Sequence, residues 1–359
     1  MLGRKLTAAG VKSSISDFHP AYFAMVMSTG IISISSHLLG YHKIAEALIW
    51  LNLLFYFSLW AITLARILVY PKKILSDLSD HVRGVGFFSL VAGTCILGTQ
   101  ILVQFEANDT AFIFLISGII LWIFFIYFVL TSLAVKEIKP SLEAGISGLW
   151  LLIVVSTQSI SILGALLAPH LVRFPDEILF FALAMFLLGG MLYLVIISLI
   201  FYRLMFFKLN PESFYPNYWV NMGAVAISTL AGSTLTLNTS GSSILEQFIP
   251  FIKGLTLFFW AGATWWIPLL VMLEIWRHVI NRIKISYSPQ YWGLVFPLGM
   301  YTASSLRLSE AMNLEFLSVI PRYFFFVALL AWVITLTGLL KTLSRSIFQS
   351  RPEPLSEEQ

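Results

Sequence analysis

The histidine and cysteine side chains are the residues of this chain best suited to hold a metal or to exchange protons. Such chemistry needs the groups clustered, for example as two histidines one helical turn apart. The six histidines lie at the ends of apolar segments or between them, with no i,i+4 pair at depth: His19, His37, His42, His81, His170 and His278. The single cysteine, Cys95, cannot form a disulfide framework or a thiolate cluster within this chain. These positions disfavour an intramembrane enzyme, and no metal, haem or other cofactor is expected.

Charged residues are scarce within the apolar segments. The segments contain four of them, Glu46, Arg307, Glu310 and Arg322, and all four lie toward the same ends of the segments. A charge at the centre of a bilayer costs roughly 2.5–3.5 kcal/mol, which proton-coupled pumps accept in order to gain a titrating relay. Because a central carboxylate is lacking, the sequence favours passive or weakly coupled permeation. A proton-coupled carrier is the alternative, with His37 and Glu310 as its titrating candidates.

The elements that carry these residues are long apolar segments. Apolar residues make up 58% of the 359 residues and charged residues 11%, compared with about 25% charged in soluble domains. About 20 apolar residues in a helix cross the ~30 Å of a bilayer core. Ten such windows fit the sequence: 21–40, 45–64, 84–103, 111–130, 145–164, 178–197, 219–238, 254–273, 292–311 and 317–336.

The distribution of positive charge predicts the orientation of these segments. Seventeen of the 22 Lys and Arg residues lie in the N-terminus, in the C-terminus and in the connections after even-numbered segments. Cytoplasmic loops retain positive charge, so both termini of this multi-pass cell-membrane protein are expected in the cytoplasm. The same rule accounts for the pI of about 9.1 without a nucleic-acid partner. We expect a cytoplasmic segment at 1–17, a transmembrane domain at 18–345 and a short cytoplasmic tail at 346–359.

The odd-numbered and even-numbered segments differ in composition. Gly, Ala, Ser and Thr occupy 43 of 100 positions in the odd windows and 22 of 100 in the even ones. Small residues let helices approach closely, and hydroxyls need partners or water, so the odd segments belong inside and the bulky even ones suit contact with the lipid bilayer. The sequence therefore predicts an all-α membrane protein with ten transmembrane helices as five parallel helical hairpins, with the odd helices in an inner ring around a central pore.

The predicted pore favours anions over cations. The odd segments carry no ring of Asp or Glu that would attract cations, and parallel odd helices place five positive dipole ends at the cytoplasmic mouth. Arg307 and Glu310 stand three residues apart on the ninth segment, close enough to pair on one helix face. They form either a structural ion pair or an outer vestibule in which Arg307 concentrates anions.

Two stretches of sequence resemble a known family. The ninth segment reads Tyr-Trp-Gly-Leu-Val-Phe-Pro-Leu-Gly-Met-Tyr over 291–301, and the first contains His-Pro-Ala-Tyr-Phe at 19–23 followed by Ser-Thr-Gly at 28–30. The chain resembles the tellurite-resistance/C4-dicarboxylate transporter family, also called the voltage-dependent anion channel family. That family includes plant slow anion channels, fungal malate permeases and sulfite efflux pumps. Tellurite resistance describes a phenotype and not a cargo.

The resemblance implies ten helices in five hairpins, commonly a homotrimer with one pore in each subunit, and a phenylalanine gate. The residue that matches the gate is Phe296, and Pro297 after it removes a backbone donor and disturbs the helix where the ring must be aimed. Expected cargoes are small inorganic or organic anions of the chloride, nitrate, malate, sulfite or tellurite class. Hydroxyls can also bond to their own helix, so single lining positions are weak predictions. The pore-lining candidates are Phe23, Gly30, Ser33, Gly93, Ser156, Ser228, Gly232 and Gly299.

Overall fold

The computed structural model describes residues 15–212, 214–239 and 243–348. All regular secondary structure in these ranges is helical. Nearly all of the predicted N-terminal segment, residues 1–14, lies outside the described residues, and so do residues 349–359 of the predicted C-terminal tail.

Ten long helices make up most of the described chain. They are α1 Ala24–Leu38, α2 His42–Val69, α3 Phe88–Phe105, α4 Asn108–Val135, α5 Leu152–Leu167, α6 Pro175–Phe206, α7 Val220–Asn238, α8 Ile249–Ile275, α9 Trp292–Met312 and α10 Val319–Phe348. Within the described ranges, nine of them, taken with the short turns that extend them, are long and apolar enough to cross a membrane. The remaining one, α9, has 21 residues but includes Pro297, Arg307 and Glu310. It is therefore long enough to span a bilayer but less apolar than the others.

A short 3-10 turn precedes each odd-numbered helix. These five N-terminal turns are Pro20–Phe23, Gly84–Phe87, Gly148–Leu151, Pro216–Trp219 and Pro289–Tyr291. Proline suits the first position of three of them, because its φ is preset and its missing N–H has no helical partner there. Each turn contacts the next one along the chain. All five odd helices therefore start at one end of the molecule, which we name the turn end.

The odd helices contact one another in a closed circuit. Helix α1 packs against α3, α3 against α5, α5 against α7, α7 against α9, and α9 returns to α1. Each even helix packs against the odd helix before it and against the odd helix that follows, with α10 reaching α1. The even helices thus cover the seams between the odd ones.

Burial separates the two sets of helices. In the odd spans α1, α3, α5 and α7, between 78 and 100% of the apolar window is buried, and in the even spans the share is between 22 and 44%. Most residues of α9 are buried as well. Small residues make this packing possible: a Cβ on Gly98 of α3 would lie 2.6 Å from Phe114 of α4 and 2.9 Å from Leu163 of α5. The exposed even faces carry large apolar side chains, for example Phe57 and Tyr127.

Candidate functional site

Helix α9 carries the aromatic residue that the sequence singles out. Phe296 is only 1% exposed, and Pro297 follows it inside the helix. Proline has no N–H, so the carbonyl group of Gly293 has no i+4 donor within α9. A Cβ on Gly223 of α7 would lie 2.7 Å from Cγ of Pro297, so the pyrrolidine ring lies directly against the α7 backbone. Gly223 provides the space that the proline ring occupies.

Three contacts of α9 fix the direction in which Phe296 points. Pro297 faces α7 at Gly223, and Gly299 faces α1, where Ile31 lies 2.8 Å from the position of its absent Cβ. The hydroxyl of Tyr301 lies 2.8 Å from a hydroxyl of α8. Successive helical residues are about 100° apart, so Phe296 lies between the directions of α7 and α1 and about 140° from Tyr301. Its ring therefore faces the interior of the circuit of odd helices.

Helices α1 and α9 are joined by two hydrogen bonds between hydroxyls and backbone carbonyls. The hydroxyl proton of Ser28 is shared between the carbonyl oxygens of Trp292 at 2.8 Å and Ala24 at 2.7 Å. Ser35 donates to the carbonyl oxygen of Gly299 at 3.3 Å. The donors are seven residues apart and so are the acceptors, in the same order along both helices. The two helices run parallel at this seam, and both bonds flank the level of Phe296.

The serines among the predicted lining residues donate to backbone carbonyls. Ser33 donates to Ala45 of α2 at 2.8 Å, Ser156 to a carbonyl three residues earlier at 2.8 Å, and Ser228 to one four residues earlier at 2.7 Å. All three side chains are buried. Their hydroxyl protons are engaged within the protein: Ser33 joins α1 to α2, and Ser156 and Ser228 bond to their own helices.

The glycines among the predicted lining residues lie where helices approach each other. A Cβ on Gly30 would meet Ile96 of α3 at 2.6 Å, and one on Gly93 would lie 3.5 Å from the ring of Phe23. A Cβ on Gly232 would overlap Thr256 of α8. Gly30 and Gly232 thus face outer or neighbouring helices, and close packing accounts for both.

Phe23, another predicted lining residue, lies between α1, α2 and α3. Its ring makes edge contacts with Tyr56 at 6.2 Å and Trp60 at 5.7 Å between centroids, both on α2. The structure therefore brings Phe296 to the interior of the circuit and places Phe23 against an outer helix. In the sequence both residues are aromatic members of odd segments, and the difference between them depends on helix rotation.

Hydrogen bonds from Trp and Tyr side chains join most of the even helices to odd ones, and the sequence did not predict them. In four of five cases an aromatic residue of an even helix bonds a hydroxyl on the next odd helix, at 2.9–3.1 Å: Tyr56 with Thr94, Trp122 with Thr157, Trp260 with Ser305, and Trp332 with Thr29. Buried indole N–H and phenol groups need such partners. The available signal in the sequence was a Trp or Tyr in four of the even segments and a Thr or Ser in the odd segment that each of them contacts.

Arg307 and Glu310 form the predicted ion pair at the far end of α9. The Nη1 atom of Arg307 lies 2.6 Å from Oε2 of Glu310, and the side chains are 28% and 42% exposed. Arg307 is eleven residues beyond Phe296, on the same face to within about 20° and about 16 Å along the helix. The rings of His37 and His42 stack edge to face nearby with centroids 4.9 Å apart, and His37 lies within electrostatic range of Arg307. This end therefore holds a half-buried arginine, paired with Glu310, on the interior face of α9.

A buried ion-pair network lies at the turn end, beside the first N-terminal turn. Asp77 accepts a hydrogen bond from Arg66 at 2.6 Å, and its Oδ1 lies 2.7 Å from Nε of Arg83 in an ion pair. Arg66 is 2% exposed. Arg83 also donates to the carbonyl oxygen of Phe18 at 3.0 Å. Burial and then the positive charge of Arg83 lower the pKa of His19 from 6.5 to about 4. The network holds the residues before α1 against the connection between α2 and α3.

An apolar groove of about 670 Å³ lies on the outside of the molecule between α6 and α8. Its walls are formed mainly by aromatic residues, among them Tyr193, Phe201, Phe258 and Trp265. The groove opens on the faces that carry the large exposed apolar side chains and not on the interior of the circuit. It suits contact with lipid or with another apolar surface.

Long apolar helices, a buried interior and a lipid-compatible exterior define an all-helical, multi-pass membrane protein over the described residues. The chain belongs to the voltage-dependent anion channel family, whose match covers residues 17–340. Members of this family are transporters and channels and not enzymes. The resemblance noted in the sequence is thereby confirmed.

Three relatives show how far this similarity extends. An uncharacterized membrane protein of Mycobacterium tuberculosis is 36% identical over 159 residues, which cover 44% of this chain and 80% of the relative. An uncharacterized transporter of Methanocaldococcus jannaschii is 23% identical over 93% of this chain and 96% of its own length. A sulfite efflux pump of Trichophyton rubrum is 24% identical over 94% of both chains. The two longer matches span nearly the whole transmembrane region.

Proposed function

We propose that this protein passes small anions across a cell membrane through a conduit on the axis of the odd helices, with Phe296 as its gate. The observation that carries the proposal is the direction of Phe296, which is buried and faces the interior between α7 and α1. A bulky apolar ring in a narrow conduit excludes water and ions, and its rotation opens the path. We propose that the buried position of the ring corresponds to the closed state.

The helix contacts support five hairpins around that axis. The circuit of odd helices, the meeting of their N-terminal turns and the covering even helices are all consistent with a fivefold parallel repeat. The positive ends of the helix dipoles then converge at the turn end, which favours anions there. We assign the turn end to the cytoplasm from the distribution of Lys and Arg, which makes Arg307 and Glu310 the outer vestibule. Tagging each terminus and testing protease access in oriented vesicles checks this orientation.

Among the predicted lining residues we retain Ser156 and Ser228 as neighbours of the conduit. We assign Phe23, Gly30, Ser33, Gly93, Gly232 and Gly299 to helix packing, because each of them meets a neighbouring helix. On the interior face of α9, Met300 and Ala303 continue the line from Phe296 toward Arg307, since they are four and seven residues further on. The proposed path is therefore mostly apolar near the gate and carries the Arg307–Glu310 ion pair at its outer end.

The test of the function is a flux assay with purified protein in liposomes. Chloride, nitrate, malate, sulfite and tellurite are supplied one at a time, and efflux is compared with that of empty liposomes. The names of the fungal relatives make sulfite the first anion to try. Selective passage of at least one anion supports the proposal. Absence of flux for all five from folded protein, and also from the Phe296→Ala variant, contradicts it.

A proton-coupled C4-dicarboxylate or sulfite carrier on the same scaffold is the second candidate. Relatives are named as transporters and efflux pumps, and Glu310 is a titratable group on the outer vestibule. The reversal potential distinguishes the two mechanisms, because coupled transport shifts with a pH gradient and a pure anion pore does not. We further propose a homotrimer with one conduit in each subunit, on the strength of the family resemblance. The mass of the purified protein in detergent tests that assembly.

A further inference from the structure

Met300 lies one helical turn outward of Phe296 on α9. Four residues separate the two side chains, so they lie on nearly the same face of the helix and about 6 Å apart along it. Met300 is 1% exposed, as Phe296 is. Both side chains are therefore sealed from water, although the proposed gate uses only Phe296.

Ile31 of α1 lies at the level of Met300. Its Cγ2 atom is 2.8 Å from the position that a Cβ of Gly299 would take, and Gly299 directly precedes Met300. On α1, Gly30 faces α3 and Ser28 faces α9. Successive residues are about 100° apart, so Ile31 lies between these two directions and points to the interior of the circuit. It is 1% exposed.

Ile227 of α7 lies at the same level from the other side. Gly223 of α7 meets Pro297 of α9, and both helices start at the turn end, so Ile227 is beside the turn of α9 that includes Met300. Gly232 faces α8 on the outside, and Ile227 is about 140° from it around the helix, which directs its side chain inward. It is fully buried. Two isoleucines and one methionine thus fill the interior between α1, α7 and α9 at this level.

The next level outward is slightly accessible. Leu230 of α7 is 7% exposed and Ile34 of α1 is 5% exposed. Each lies three residues beyond the isoleucine of its own helix and within about 60° of its direction. Accessibility therefore ends between Leu230 and Ile227 on α7, and between Ile34 and Ile31 on α1. This boundary coincides with the level of Met300.

We propose that Met300, Ile31 and Ile227 form a second apolar barrier directly outward of Phe296, at the floor of the outer vestibule. A narrow apolar constriction excludes water and ions by dewetting. Methionine is unbranched and flexible, so Met300 moves aside without displacing a helix, whereas the two isoleucines are stiff walls. As a determinant of anion passage the barrier rests on the proposed function, but its exclusion of water does not.

Chloride efflux from liposomes in the Phe296→Ala background tests the barrier. Adding Met300→Ala should raise the efflux by up to about tenfold, the factor that corresponds to the lower value for burying a methionine side chain. Adding Met300→Phe should return the efflux toward that of the wild type, because a ring then lies one turn further out. Met272→Ala is the matched control and should leave the efflux unchanged, since Met272 is 66% exposed on the outside of α8.

Thiol labelling measures the barrier without flux. The sequence contains one cysteine, Cys95, and it is completely buried on α3, so an introduced cysteine is read against little background. An anionic methanethiosulfonate reagent should modify Leu230→Cys in the detergent-solubilised protein and leave Ile227→Cys unmodified. Adding Met300→Ala should make Ile227→Cys react at a rate close to that of Leu230→Cys.

The two assays separate this barrier from the transport function. Equal modification of Ile227→Cys and Leu230→Cys with Met300 in place overturns the barrier. Where Phe296→Ala conducts, a folded Phe296→Ala/Met300→Ala variant that conducts no better refutes the barrier alone. Where no variant conducts, the transport function fails and labelling decides: protection of Ile227→Cys that is lost with Met300→Ala supports the barrier, and protection that persists overturns it.

Discussion

Replacing Phe296 with alanine is expected to increase anion flux. The ring is 1% exposed, and burying a phenylalanine completely is worth about 1.5–3 kcal/mol relative to leaving it exposed. If that free energy holds the ring in the closed position, its loss shifts the ratio of open to closed protein by about 10- to 150-fold, since 1.4 kcal/mol corresponds to a factor of ten. The flux should rise by up to that factor while the closed state dominates in the wild type.

Phe296→Leu and Phe259→Ala are the matched comparisons. Leucine keeps a large apolar side chain at the gate, so its flux should lie between those of the wild type and the alanine variant. Phe259 on α8 is also 1% exposed, but it packs edge to face against Phe186 with centroids 6.0 Å apart, away from the axis. Its replacement by alanine should lower stability and leave flux unchanged.

Chloride or sulfite efflux from liposomes measures these effects, with the amount of folded protein set by size-exclusion chromatography. A folded Phe296→Ala variant with wild-type flux refutes the gate assignment. An equal increase in Phe259→Ala refutes it as well, because the effect is then a general consequence of loosening the helix packing.

Three further predictions concern the outer vestibule, the helix packing and the turn end. Glu310→Gln leaves Arg307 without its partner and should raise anion flux by up to about fivefold, as expected for ~1 kcal/mol from one charge at 4 Å in water, whereas Arg307→Gln should lower the flux. Both changes in flux should shrink at high salt in the same efflux assay. A decrease for Glu310→Gln or an increase for Arg307→Gln contradicts the vestibule assignment. Gly232→Ala forces overlap with α8 and should lower the free energy of unfolding by about 1–3 kcal/mol, whereas the new methyl group of Gly254→Ala meets no atom within 4 Å and should have no effect. Equal effects of the two variants in a thermal unfolding assay refute the packing assignment. Burial and nearby cations lower the pKa of His19 to about 4 in the folded protein, so its neutral form contributes stability that is lost as the pH falls from 6.5 toward 4. His19→Gln should flatten that part of the curve of unfolding temperature against pH. An unchanged curve refutes the assignment of this pH dependence to His19.

The prediction of membrane helices succeeded because the bilayer imposes a length and a composition. The sequence windows and the observed helices overlap in all ten cases, as with the window 84–103 and helix α3 at Phe88–Phe105. The contrast between small and bulky segments predicted which helices are buried, since only small residues let several helices pack around one centre. These properties are averages over many residues, and errors at single positions cancel.

The individual lining positions were harder to predict because they depend on the rotation of each helix. A rotation of about 100° separates one residue from the next, and it decides that Phe296 faces the interior while Pro297 meets Gly223 of another helix. The rotation of α7 likewise turns Gly232 toward α8, although a small residue in an odd segment suited the conduit equally well. Hydropathy does not encode this angle when a helix is buried on all sides.

Partners of polar atoms are likewise a property of the tertiary structure. The sequence showed that Ser28 and Thr29 lie in an odd segment, but only the packed structure pairs Ser28 with the carbonyl of Trp292 and Thr29 with the indole of Trp332. The sequence by itself determined the membrane class, the helices and which of them lie inside, because the bilayer acts on whole segments. Only the tertiary structure decided which atoms meet, because hydrogen bonds and ion pairs depend on distances of a few ångströms between residues that are far apart in the chain.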